Sequence, residues 1–180
     1  MIKYFLRLIL LLACVVGVIA LIGSVLPRGY DFETSVVVDA PPEEVFAAIN
    51  RLRNWPQWSE QFNPEAIDDL TIDYNAVDAG EGAALIWNDV RGRGKLWITS
   101  SVPSQSVFYD VEFQDFPVMN SEIKLTEDSE AVPPQTVVSW RSKGSLPGGP
   151  FYGFFGNFYS TQMRYMYDNS LQGLKRYVED

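Results

Sequence analysis

The chain has no histidine, and its one cysteine, Cys14, lies inside an apolar run near the N-terminus. Without histidine there are no histidine-based triads, no imidazole metal ligands and none of the usual proton shuttling near neutral pH. Any catalysis has to draw on Asp, Glu, Lys, Tyr, Ser or Arg. A lone cysteine excludes an intrachain disulfide and leaves none for a metal site in the rest of the chain. Basic charge is scarce as well: 14 Lys and Arg stand against 23 Asp and Glu, a net charge of −9. Lys3 and Arg7 precede the apolar run, so the remainder holds 12 basic and 23 acidic residues, a balance of −11. Such a surface repels nucleic acid and anionic lipid and accepts basic partners or neutral ligands more readily. Nucleic acid is not an expected partner.

Recognisable catalytic and cofactor motifs are missing too. Gly80-x-Gly82 and Gly92-x-Gly94 resemble nucleotide loops only superficially. Neither falls between a parallel strand and a helix, so both read as turns or bulges. Asp89, Asp110, Asp115 and Asp168 are scattered along the chain and form no evident acid/base pair. No EF-hand spacing exists. No catalytic residue, metal or cofactor is therefore assigned. Glu127-Asp128-Ser129-Glu130 reads as a solvated, charged turn.

What is present begins with Leu8–Leu26, nineteen residues without a charge. At ~1.5 Å per residue the run spans about 29 Å, close to the ~30 Å hydrocarbon core of a bilayer. Tyr4 and Phe5 suit one interface, and Pro27 ends the helix at the other. Residues 4–26 are thus expected to contact the membrane. Lys3 and Arg7 put the N-terminus in the cytoplasm and the rest outside, in the periplasm of a Gram-negative cell, although Arg28 weakens the asymmetry. A cleaved signal peptide is the main rival. The run exceeds the ~7–15 residues of a signal core, and no Ala-x-Ala site follows it. Cleavage at a lipoprotein site, Leu11-Leu-Ala-Cys14, would leave a greasy mature N-terminus. An uncleaved anchor over residues 1–29 is the favoured reading, with one domain over 30–180, a length that suits a single core.

Within that domain, Val36-Val-Val suits an extended backbone, and Pro41-Pro42 stops it. Pro42 fits the first turn of a helix, where Glu43 and Glu44 meet the positive dipole end and Val45, Phe46 and Ile49 form one apolar face. The pattern predicts strands over Tyr30–Asp39, Asp69–Val77, Gly82–Asp89, Gly94–Ser100, Ser106–Gln114, Met119–Glu127 and Thr136–Lys143. A helix is predicted over Pro42–Asn50, a helical turn around Trp55–Glu60, and a last helix over about Ser160–Val178. Short turns between the strands favour an antiparallel sheet. Met163, Tyr167, Leu171, Leu174 and Val178 make an apolar stripe on the last helix, which the sheet must cover.

Several pieces of this chain resemble the SRPBCC superfamily, also called START-like or polyketide cyclase/dehydrase-like, over roughly Tyr30–Glu179. They are Ser35-Val-Val-Val-Asp-Ala-Pro-Pro-Glu-Glu-Val-Phe46, Trp55-Pro-Gln-Trp-Ser59, Gly80-Glu-Gly-Ala83 with Trp87, Gly92-Arg-Gly-Lys-Leu96 and Ser170-Leu-Gln-Gly-Leu-Lys175. Leu26-Pro27 at the end of the apolar run matches as well. One departure is Ser59-Glu60-Gln61-Phe62, where members often carry Ser-Pro-Trp. The resemblance implies an α+β, helix-grip fold: a seven-stranded antiparallel sheet curved around the long C-terminal helix, often with a cavity between them.

The inward-facing set is then Leu85, Trp87, Leu96, Ile98, Tyr109, Phe113, Ile123, Trp140 and the helix face with Tyr167. These residues line an apolar cavity or fill a dry core. Trp58 and its neighbour Trp55 sit at a pocket mouth or plug the gap between short helices and sheet. Leu146–Phe158 is rich in Gly, Pro and Phe, and its rings, Phe154 and Phe155 among them, either form a lid or bilayer contact or cap the core. Three functions remain open. One is a membrane-anchored module binding a hydrophobic small molecule or lipid; another is a cyclase/dehydrase-type enzyme with non-histidine polar groups; the third is an interaction domain with a filled core.

Overall fold

The computed structural model describes residues 2–128, 130–132 and 134–180. Ser129 of the charged turn lies outside the described residues. Helix α1 covers Ile2–Val25, strand β1 Gly29–Val38, helix α2 Pro42–Asn50 and the single-turn helix α3 Trp55–Trp58. Strands β2 Thr71–Tyr74, β3 Ala84–Asp89, β4 Gly92–Val102, β5 Ser106–Phe113, β6 Met119–Asp128 and β7 Gln135–Ser145 follow, and helix α4 Gly156–Glu179 comes last. Along Lys3–Val25, α1 has a mean hydropathy of 3.0 and is long and apolar enough to cross a membrane.

All seven strands form one antiparallel sheet in the order β1-β7-β6-β5-β4-β3-β2. From β2 to β7 each strand pairs with its successor, as short turns require. The β1 strand returns from the far end of the sequence to the β7 edge, pairing Tyr30 with Gly144 and Val38 with Thr136. The register slips between Ile98 and Ser100, a bulge that bends β4 against β5. Period-2 alternation decides the two faces. Val107, Tyr109 and Val111 on β5 are buried while Phe108 is exposed, and Met119, Ser121, Ile123 and Leu125 do the same on β6.

The inner face wraps α4, and the architecture is the expected helix-grip α+β arrangement. Tyr167, Leu171 and Leu174 are buried on that helix, and Met163 and Val178 are half-buried at its ends. Polar ties fix the helix to β1. Thr34 hydrogen-bonds Asp168, the Asp39 amide donates to Glu179 at 2.7 Å, and Lys175 donates to the Val37 carbonyl at 2.7 Å.

Three elements depart from the sequence reading. Helix α4 begins at Gly156 rather than Ser160, because the glycine-rich segment before it is held against α1. The second strand contracts to Thr71–Tyr74 because Asp69 takes a left-handed conformation (φ 55°). The turn between β3 and β4 tightens to Val90–Arg91: the Asp89 carboxylate accepts the Arg91 amide at 2.7 Å, and Gly92 supplies φ 137°.

The helix face gives a direct test. Leu174 is fully buried and Gln172 is exposed. Leu174→Asp buries an unpaired carboxylate and should cost at least ~3 kcal/mol. Gln172→Asp should stay within ~0.5 kcal/mol of the parent. Thermal melting of the two variants checks this, and equal losses would mean that the helix is rotated.

Candidate functional site

The inner face of the sheet combines very large and very small side chains. In the register, Trp87 lies opposite Gly94, and a side chain at position 94 would collide with the indole. Tyr30 lies opposite Gly144, and its phenol occupies the space that a side chain there would take. Tyr109, Ser121, Ser142 and Phe32 stand in one cross-strand row. The two serines leave room above them for rings from β7 and α4. Trp140 and Tyr167 fill it, stacked with centroids 4.1 Å apart.

From that stack, ring contacts run around the whole interior. Trp140 meets Trp55 at 5.9 Å, Trp55 meets Phe62 at 6.0 Å, Phe62 meets Trp87 at 5.4 Å and Trp87 stacks on Phe113 at 6.0 Å. Phe113 then meets Phe116 at 6.2 Å, Phe116 meets Tyr159 at 6.2 Å and Tyr159 meets Tyr30 at 4.9 Å. Tyr30 to Phe32 at 6.2 Å and Phe32 to Tyr167 at 5.2 Å close the circuit. Centroid distances of this size are those of favourable edge-to-face and offset pairs, each worth about 0.5–1.5 kcal/mol beyond area burial. Most of the circuit is buried, but Phe113, Phe116, Tyr159 and the nearby Met163 are only half-buried, so the interior is most accessible on their side.

A small polar cluster lies inside this apolar shell. Trp140 Nε1 donates to the Tyr109 hydroxyl at 2.7 Å. Ser142 Oγ donates to the Tyr167 hydroxyl at 3.1 Å and lies 2.6 Å from Ser121 Oγ. Tyr167 in turn points its hydroxyl at Met119 Sδ, 4.0 Å away. Burial pushes the phenols of Tyr109 and Tyr167 above their ordinary value, so both stay neutral. Trp58 adds a donor: its ring meets Trp55 at 4.9 Å and Trp140 at 5.9 Å, and its buried Nε1 has no hydrogen-bond partner. Chemically, the arrangement offers apolar surface plus neutral hydrogen-bonding groups.

The structure brings nearly all of the expected site residues together. Trp58, Leu85, Trp87, Leu96, Ile98, Tyr109, Ile123, Trp140 and Tyr167 are buried in one cluster, and Phe113 packs against it. Phe154 and Phe155 are elsewhere, exposed beside the end of α1. Trp55 and Trp58 both plug the interior. Sequence reasoning passed over Phe32, Ser121 and Ser142, although their positions in the strand alternation mark them as inward. It also missed Phe116, which comes from a loop and carries no periodic signal, and Tyr159, which continues the Met163–Tyr167–Leu171 stripe by one turn but lay just before the predicted helix start at Ser160. The rings touch one another throughout, so side chains occupy the space between sheet and helix in this conformation. A groove of about 620 Å³ between α2 and the end of α4, lined by Phe46, Asn50, Arg51 and Tyr177 among others, lies outside the circuit.

A curved antiparallel sheet gripping one long helix, with an aromatic interior, defines a ligand-binding class of α+β domain. Residues 30–179 match the family model described as "Polyketide cyclase / dehydrase and lipid transport", and the chain belongs to that family. Solved structures agree on the fold. Protein CV1439 from Chromobacterium violaceum is 19% identical at a TM-score of 0.57, covering 83% of this chain and 97% of its own. Ara h 8.0201 is 14% identical at 0.59, with the same coverages. Mll3558 from Rhizobium loti is 13% identical at 0.58, covering 81% of this chain and 96% of its own. A comparison with curated proteins finds no match.

The buried phenols predict a pH dependence. Burial raises Tyr30, Tyr109, Tyr159 and Tyr167 above the ordinary phenol value. Their contribution to stability is complete below the unfolded value of about 10 and is lost as pH rises from there through the folded values. The melting temperature should hold up to about pH 10 and then fall, with a late phenolate absorbance that appears only on unfolding. Smooth ionisation of every tyrosine without loss of fold would contradict the assigned burial.

Proposed function

We propose that this chain is a membrane-anchored START-like domain that binds a hydrophobic small molecule or a lipid between its sheet and C-terminal helix. Residues 1–29 are the anchor and 30–180 the binding domain. The carrying observation is the make-up of the interior. Apolar rings surround a few convergent polar groups, and one of these, the buried Trp58 N–H, is unpaired. A binding site for an apolar ligand with one polar atom has this composition. The family description, which includes lipid transport, supports the same reading. Phe113 and Trp87, which stacks on it, are the proposed ligand contacts nearest the half-buried side, with Tyr109, Trp140, Tyr167, Trp58, Leu85, Leu96, Ile98 and Ile123 deeper.

Binding is favoured over catalysis by the chemistry of the cluster. Neutral phenols, an indole and two serine hydroxyls can hold a carbonyl or hydroxyl of a ligand, but they are poor bases for taking a proton from it. The unbroken ring contacts favour one rival, a filled-core interaction domain. Native mass spectrometry of the full chain released from detergent separates the two. A co-purifying mass, lost when Trp140→Ala opens the circuit, supports binding. A bare chain from several membrane sources, with no added lipid retained, supports the filled core.

The anchor reading places the domain outside the cytoplasm, because Lys3 and Arg7 precede the apolar run and no acidic residue does. A reporter active only in the cytoplasm, fused after Asp180, should be silent. Strong reporter activity would reverse the topology, and a mature N-terminus beyond Leu26 would remove the anchor.

A further inference from the structure

Exposed aromatic rings in this domain are not scattered. Beyond α1, among the described residues, every aromatic side chain more exposed than Phe108 at 36% lies between positions 151 and 165. They are Phe151, Tyr152, Phe154, Phe155, Phe158 and Tyr165, at 39–63% exposure. Single exposed apolar residues are ordinary, but a group of six is not.

This group is held against the last turn of α1. Gly23 is buried because the Pro150 carbonyl and the Phe154 ring occupy the space where its side chain would be. From the other side, a side chain at Gly153 would start 2.5 Å from the Gly23 carbonyl oxygen and 2.6 Å from Leu26 Cβ. The Leu146 amide donates to the Arg28 carbonyl at 2.9 Å, which closes the loop beneath the helix end. The depth of the rings is thus set by α1. Gly23 lies three residues before Leu26, so at ~1.5 Å per residue the Phe154 contact falls about 4–5 Å inside the end of the apolar run.

Charge is distributed to match. The chain carries 23 acidic residues, yet none falls between Gly144 and Tyr167. Basic residues flank the segment, Lys143 before it and Arg164 within its helix, and Arg28 lies against Gly148. A strongly acidic domain has therefore kept the segment that carries the rings free of carboxylates, and this segment packs where α1 leaves the domain. Leu21, Ile22 and Val25 are exposed on α1 beside the rings, so the aromatic surface continues the apolar surface of the helix.

We propose that the six rings form a collar that inserts into the boundary between headgroups and acyl chains of the bilayer, as a second membrane contact beside the anchor. Tyrosine and phenylalanine at that depth are well solvated by lipid, with apolar bodies among the chains. The collar sets the tilt of the domain, because two contacts fix an orientation that one flexible stalk does not. It rests on the reading of α1 as a membrane span.

The test uses the full chain in phosphatidylcholine nanodiscs, with or without bromine on the upper acyl carbons. Phe155→Trp places a reporter on the collar. Val132→Trp places one at a 96% exposed site in the turn after β6, at the opposite end of the sheet. The extra emission of Phe155→Trp over the parent should fall at least twofold in brominated discs, and that of Val132→Trp should not change. Cys14 checks the anchor independently: a membrane-impermeant maleimide should leave it unmodified in discs and label it in denaturant. If Cys14 is protected but Phe155→Trp and Phe158→Trp both emit equally in the two discs, the collar is overturned and the anchor stands. The exposed face then belongs to a second copy of the chain or another protein. If Cys14 reacts in intact discs, the anchor reading fails and the collar falls with it.

Discussion

The stack of Trp140 on Tyr167, 4.1 Å between centroids, is the contact on which the rest of this domain turns. It joins the sheet to α4 and needs small neighbours to exist. Ser121 and Ser142 lie beneath it, and their hydroxyls bind each other and Tyr167 rather than going unpaired. Larger side chains at either serine would push the rings away and separate α4 from the sheet. Glycines at 94 and 144 play the same part for Trp87 and Tyr30. Where the sheet needs bulk, the bulk comes from rings on neighbouring elements, so the interior closes by contact between residues distant in sequence. Such a core is costly to alter at one point, because each ring is positioned by the next.

This explains what could be read from the sequence and what could not. Elements with a strict period were legible: Val107, Tyr109 and Val111 alternate, and Tyr167, Leu171 and Leu174 follow a helical stripe. Pro41-Pro42 marked where β1 stops and α2 starts, and the structure places them there. Elements defined by tertiary contact were not legible. The first turn of α4 contains Gly156 and Asn157, poor helix formers, and is supported by the segment docked on α1. Phe154 and Phe155 were cavity candidates as a lid or a cap on the core, with bilayer contact as the alternative, and apolar composition alone carries no direction to choose between them. Phe116 completes the aromatic circuit from a loop, where no periodicity points inward, and Tyr159 from the turn that the expected helix start at Ser160 left out, although it lies four residues before Met163 on the same stripe.

Strand polarity relates the interior to the apolar helix α1. Gly29 of β1 pairs with Ser145 of β7, so α1 leaves the sheet at the end where β7 finishes. Antiparallel pairing puts the end of β5 and the start of β6 at that same end, with Phe116 in the loop between them. The half-buried rings of the circuit, Phe113, Phe116 and Tyr159, therefore gather on the side from which α1 emerges. Tyr159 belongs to the first turn of α4, one residue after Phe158 of the proposed collar. The surface that would meet lipid and the least buried part of the interior are thus contiguous in the fold.

That contiguity argues against Trp58 as the point of entry. Trp58 lies beside Gly173, in the half of α4 tied to β1 through Lys175 and Glu179, at the far end from α1. Asp39, Glu43, Glu44 and Glu179 are near that end, and acidic side chains there keep it in water. If an apolar ligand reaches the interior from the bilayer, the first rings it meets are Phe116 and Tyr159. Trp58 then closes the opposite end of the same space, where its unpaired N–H can meet a polar atom that leads the ligand in. An apolar ligand with its polar atom at the leading tip fits this direction of entry, whereas one held by a headgroup in the bilayer would place its polar atom at the tyrosines instead.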